Sequence, residues 1–171
     1  MSVKKLGFGM MRLPLLDKDD DGSIDIELTK KMVDVFMERG FTYFDTAWMY
    51  CNYKSEEAVK AAVVDRYPRD SFTLATKLHA MYVHSFEDRD KIFNEQLRKT
   101  GVGYFDYYLL HDVNVHSYET YKKFDSPTLT PAIMACSREY SLTTFWLKKA
   151  KVRLSGVAVR PMMKASKYSS T

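Results

Sequence analysis

The stretch FDTAWMY, residues 44–50, closes an apolar run with an aspartate and sets a tyrosine five positions further on. The run itself, FTYFDTA at 41–47, is rich in aromatic and β-branched residues, as a strand requires. An acid at the end of such a strand is either an ordinary cap for the next loop or one part of a site. The segments on either side decide between the two.

Upstream lies IDIELTKKMVDVFMERG, residues 24–40, with Ile24, Leu28, Met32, Val33, Val35 and Phe36 close to helical spacing. Ser23 is the expected N-cap, and Gly40 the stop. Before it, KLGFGMMRLP at 5–14 has the look of a short strand ended by Pro14. Downstream the alternation repeats. Ser55 is expected to cap a helix over EEAVKAAVVDRY, 56–67, and Pro68 breaks the chain. SFTLATKL, 71–78, is a strand; Ser85 caps a helix over 86–100 that Gly101 closes; YFDYYLLHDV, 104–113, is a fourth strand. Strands and helices in strict alternation predict βα units around a parallel sheet. The strands are nearly continuous apolar runs, as when both faces of a sheet are covered.

The 171 residues, 46 % apolar and 28 % charged, suit a single globular domain and exclude a disordered or collagen-like chain. No run approaches the ~18 apolar residues of a membrane span, and the N-terminus lacks the apolar core of a secretory signal. The two cysteines, Cys51 and Cys136, fit reduced thiols in the cytoplasm better than a disulfide framework. Charge is uneven: residues 1–125 carry a net −3 and residues 126–171 a net +7. A shift of that size marks a boundary.

In parallel α/β folds, chemistry collects at the carboxyl ends of the strands. Here the second strand delivers Asp45 and then Tyr50, the third Lys77, and the fourth His111. Each alone has an ordinary explanation as a cap, a half-buried ring, a snorkelling lysine or a core histidine. Four such residues at successive strand ends favour a site. The set suits carbonyl reduction. A tyrosine with an unperturbed pKa of ~10 is a weak acid, and a lysine cation beside it is expected to ease proton release. The aspartate keeps that lysine charged and oriented, and the histidine donates to the substrate oxygen. A hydride donor has to come from a cofactor.

LGFGMMRLP, GFTYFDTAWMY, LATKL and DYYLLH resemble the successive strand motifs of the aldo-keto reductase family, over about residues 5–125. The resemblance implies a (β/α)8 barrel, NADPH as hydride donor, a small carbonyl substrate, and a catalytic tetrad of Asp45, Tyr50, Lys77 and His111. It places Gly9 and Met10 beside the nicotinamide and Trp48 in the carbonyl pocket. The wording is most similar to bacterial members with a C-terminal iron–sulfur extension.

The chain also departs from that pattern. Such a barrel has ~250 residues. Only KVRLSGVAV, near 151–159, resembles a fifth strand, and Ala158, Val159 and Arg160 follow where the family has serine and asparagine. No C-x2-C-x2-C-x3-C run for an iron–sulfur cluster is present. The expectation is an incomplete barrel of four to five βα units, its N-terminal part over 1–125, followed by a divergent basic segment over 126–171 that carries the fifth strand near 151–159. Its open sheet edge would invite self-association. A truncated, inactive fragment that keeps the tetrad without the cofactor site is the alternative. A second alternative is a calcium loop at 17–28, where DKDDDGSIDIEL nearly fits an EF-hand but ends in Leu28 instead of glutamate. The basic tail is read as a solvated segment, not as a nucleic-acid arm.

Overall fold

A computed structural model describes residues 6–124, together with the backbone strands at 144–145, 152–154 and 157–159. Four parallel strands lie side by side in chain order: β1 (Gly7–Gly9), β2 (Tyr43–Asp45), β3 (Thr73–His79) and β4 (Tyr107–His111). Helix α1 (Ile26–Glu38) connects β1 to β2. A short segment α2 (Tyr50–Tyr53) and helix α3 (Ser55–Val59), which widens into a π turn over Lys60–Val64, connect β2 to β3. Helix α4 (Phe86–Thr100) leads to β4, and α5 (Val115–Lys123) follows it. The predicted alternation is therefore present as four consecutive βα units. Strand β5 (Thr144–Phe145) pairs antiparallel with β4. Within the stretch expected to form a fifth strand, β6 (Val152–Leu154) and β7 (Val157–Val159) pair antiparallel with each other. The rest of the basic segment, including Cys136, lies outside the described residues.

Strand pleating sorts the side chains. On the helix side, Phe44 and Leu74 join Val33, Val59, Val63 and Phe105 in the main core. Phe44 makes ring contacts with Phe8, Phe36 and Phe72. On the opposite side, Tyr43 meets Tyr107 edge to face, and Asp45, Lys77 and His111 follow at the strand ends. β3 is buried from Leu74 to Leu78, the double coverage that its sequence predicts.

Two expected caps differ. Asp25, not Ser23, caps α1: its Oδ1 accepts from Leu28 N at 2.8 Å. Ser23 instead closes the preceding turn, accepting from Asp17 N at 2.9 Å. Ser55 caps nothing. Its buried hydroxyl donates to Met10 O at 2.8 Å and pairs with Thr46 Oγ1 at 2.8 Å, tying β1 to β2. Ser85 does cap α4, and Gly101 ends it with φ 71°.

Residues 14–25 form a hairpin closed by a Leu15–Ile24 bridge, not an EF-hand. Its carboxylates turn to their own loop: Asp17 accepts from Asp19 N and Asp20 from Gly22 N. Among the described residues no group of three His, Cys, Asp or Glu side chains is arranged to hold a metal. No described helix is long and apolar enough to cross a membrane.

Gly7 illustrates how tightly β1 lies on β2. A Cβ there would come 2.6 Å from the Tyr43 ring, whose hydroxyl donates to Asp45. Gly7→Ala should therefore destabilise by ~1–3 kcal/mol through overpacking. The check is a urea unfolding curve, with a lower midpoint at unchanged slope; an unmoved midpoint would contradict the close approach.

Candidate functional site

The carboxyl ends of β2, β3 and β4 converge. Lys77, on β3, is 1 % exposed, and its ammonium pairs with Asp45 Oδ1 and donates to Thr46 O at 2.8 Å. The other oxygen of Asp45 accepts from the Tyr43 hydroxyl at 3.0 Å. Burial lowers the Lys77 pKa, and the Asp45 carboxylate opposes that shift. The ammonium is almost wholly shut from water and is held by Asp45 and Thr46 O, while the carboxylate stays partly exposed.

Tyr50 follows β2 by five residues. The Lys77 ammonium lies 4.7 Å from the centre of its ring, and the His111 ring meets it edge to face at 5.5 Å. All four predicted residues are thus brought together. Tyr50 makes no hydrogen bond to Lys77 or His111 among the described residues; the cation sits on the ring face. Burial, and then the Asp45 charge, push the Tyr50 phenol up to about 12. This differs from the expectation that Lys77 lowers it. The phenol therefore stays protonated at neutral pH.

The loop between β2 and α3 is unusual. Cys51, Asn52 and Tyr53 have φ of 51°, 49° and 64°, the left-handed region where each non-glycine residue costs ~1–3 kcal/mol. Side chains fix it: the Cys51 thiol reaches Met11 O at 3.4 Å, and Lys99 donates to Tyr53 O at 2.5 Å.

The sequence profile of the Aldo/keto reductase family matches residues 5–157. The chain belongs to the aldo-keto reductase family. Its four βα units therefore correspond to part of that family's (β/α)8 barrel. Among solved structures it resembles an aldo-keto reductase from Klebsiella pneumoniae in complex with NADPH, at 23 % identity and TM-score 0.55, over 71 % of this chain and 41 % of that one. A holo-form aldo-keto reductase from Bacillus halodurans matches at 25 % identity and TM-score 0.54, over 71 % and 42 %. An aldo-keto reductase from a Medee basin deep-sea metagenome matches at 27 % identity and TM-score 0.50, over 73 % and 41 %. The chain spans about two-fifths of the length of these solved structures.

In this reductase-family chain, a cavity of about 600 Å³ opens beside the converged residues, lined by Met11, Arg12, Tyr50, Cys51 and His111 among others. Gly9 leaves open space at the end of β1, since a Cβ there would meet nothing within 4 Å. Met10 does not. Its side chain is fully buried in the main core, its N–H donates to Asp45 O at 2.8 Å, and its carbonyl takes the Ser55 hydroxyl. The next residue, Met11, is 55 % exposed and faces the cavity. Successive side chains alternate at a strand end, so the neighbour takes the open side. Trp48 does not line this cavity; it packs edge to face on Tyr53 and carries the Lys99 ammonium 4.8 Å from its ring centre.

Sequence reading missed His79. It stands two residues beyond Lys77 on the same strand face, in register with His111, with ring centres 5.2 Å apart. Two-residue spacing from Lys77 was the available signal. Burial, assisted by Lys77 and His79, pushes His111 down to about 4. Burial also lowers His79, against an upward pull from Asp112. Both pKa values are depressed on folding, so their stabilising share is fully present above the unfolded value of ~6.5 and is lost as pH falls through the folded values. The melting midpoint should hold steady above pH ~6.5 and drop as pH falls toward about 4, less steeply in His111→Leu. Parallel melting series of the two proteins over that range make the comparison; equal slopes would remove His111 as a source.

Proposed function

We propose that the chain reduces an aldehyde or ketone to an alcohol, with NADPH as the cofactor and Tyr50 as the general acid. The observation that carries the reading is the meeting of Tyr50, Lys77, Asp45 and His111, with Tyr50 and His111 lining one cavity. NADPH, when bound, supplies the hydride. The residues present suit its reacting end: Gly9 leaves open room, Met11 offers an apolar wall, and the buried His111 Nδ1 has no hydrogen-bond partner of its own. The carbonyl oxygen is taken to lie between Tyr50 and His111. His111, neutral at working pH, donates a hydrogen bond to that oxygen, which polarises the carbonyl without a change of charge. Tyr50 then passes its phenolic proton to the oxygen as charge develops there. Lys77 stabilises the phenolate left behind, and Asp45 keeps the ammonium in place. The setting assigned is the cytoplasm, where Cys51 stays a free thiol.

The test is a fluorescence titration of the purified 171-residue protein with NADPH, with its oligomeric state measured alongside. Saturable binding, together with carbonyl-dependent consumption of NADPH, is the expected result. A folded protein that binds none would favour the rival reading, a tetrad standing without a working cofactor site. Binding confined to a dimer would point to a site completed across an open sheet edge, for among the described residues β1 pairs with β2 alone.

A further inference from the structure

The loop that carries Trp48 and Tyr50 is gripped from behind by a charge that the proposed chemistry does not use. Lys99, on α4, is 7 % exposed. Its ammonium donates to Tyr53 O, lies 4.8 Å from the centre of the Trp48 ring, and stands 3.7 Å from Glu56 Oε2. Glu56 is wholly buried at the start of α3. Its Oε1 accepts from Thr76 and Gln96, both at 2.8 Å, while its Oε2 accepts no hydrogen bond. Gln96 also donates to Lys77 O at 3.1 Å. One buried network thus touches both the strand that carries Lys77 and the loop that carries Tyr50.

Stability alone does not account for this arrangement. Desolvating a lysine and a glutamate offsets most of their attraction, and apolar residues of similar volume often serve a core as well or better. An apolar residue cannot, however, hold a carbonyl oxygen and a ring face at the same time. The loop needs such a grip, because three successive L-residues, Cys51 to Tyr53, stand in the left-handed region directly after Tyr50. The Cys51 thiol and the Ser55 hydroxyl anchor the loop to Met11 O and Met10 O, just beyond β1. Lys99 holds the Trp48 ring and the Tyr53 carbonyl, while the Tyr53 hydroxyl meets that of Tyr82 at 3.0 Å.

We infer that Lys99, held by Glu56, is a positioning residue: it clamps the Trp48 face and the Tyr53 carbonyl, and so fixes where Tyr50 presents its hydroxyl. Its consequence for turnover rests on the reductase reading; the clamp itself does not.

The experiment starts from Trp146→Phe, which leaves Trp48 as the single tryptophan of the chain. Lys99→Met in that background leaves Glu56 buried beside no cation and risks misfolding, so Lys99→Met/Glu56→Gln is made beside it, with Lys99→Arg as the conservative variant. Three quantities are read: Trp48 emission with acrylamide quenching, kcat, and KM for the carbonyl. In the folded double variant the emission should shift and quenching should rise. Its kcat should fall about tenfold or more, as for a misplaced reacting group, while KM changes far less. Lys99→Arg should restore much of both signals. Unchanged emission and quenching in a folded double variant would overturn the clamp. A changed emission with unchanged kcat would overturn its role in placing Tyr50. If the parent protein turns over no carbonyl, the reductase reading fails by itself, and Trp48 emission still decides the clamp.

Discussion

Tyr50→Phe is expected to lower kcat by about 10²–10⁴-fold, the usual range for loss of a general acid, while NADPH affinity stays nearly unchanged. The substitution removes one hydroxyl and keeps the ring. That matters here, because the ring itself is structural: it carries the Lys77 ammonium on its face and the edge of His111 against it. The Tyr50 hydroxyl makes no hydrogen bond to Lys77 or His111, so neither loses a bond when it goes. The variant should therefore fold as the parent does. The phenol is pushed up to about 12 by burial, so the parent holds the proton throughout the neutral range, and its loss cannot be mimicked by a change of pH there. Steady-state kinetics on both proteins with one carbonyl substrate, beside a cofactor titration, make the measurement. Equal kcat in the two would remove Tyr50 as the acid.

Lys77→Met should cost a comparable factor in kcat, about 10²–10⁴-fold, and stability as well. The methionine fills most of the buried lysine stem but leaves Asp45 without its cation and Thr46 O without its donor. Asp45 is not sealed off, and it keeps the Tyr43 hydroxyl. The stability loss should therefore sit near the lower end of that for a broken buried pair, on the order of 3 kcal/mol. The double variant Lys77→Met/Asp45→Leu separates the two effects. Removing both charges should recover most of the lost stability in denaturant unfolding, yet turnover should stay at the level of the single variant. Recovery of turnover along with stability would show that Lys77 serves only the fold.

Much of the frame was legible along the chain because its signals are local. Helical spacing over 24–36, the Ser85 cap, the Gly101 stop and the strand-like run SFTLAT before Lys77 each depend on a few neighbouring residues. The candidate site was legible for the same reason. Parallel strands place their carboxyl ends on one rim, so an unusual polar residue at each successive end, Asp45, Lys77 and His111, has to face the others. Ser55 was misjudged for the opposite reason. A serine before a helix suits a cap as well as it suits a cross-link to Met10 O, and only the approach of β1 to β2 selects the second.

The sequence by itself determined the alternation of βα units and the order of the polar strand ends, since both follow from side-chain periodicity and from L-residue geometry. Only the tertiary structure decided which side of a strand end faces the cavity, exchanging Met11 for Met10. It alone placed the Lys77 cation on the face of Tyr50, not at its hydroxyl. It alone brought Glu56, Gln96 and Lys99 together behind the loop, from two helices about 40 residues apart in the chain. Burial is the physical reason. A charge or a donor shut away from water must find its partner in space, and the partner's distance along the chain carries no information about where that will be.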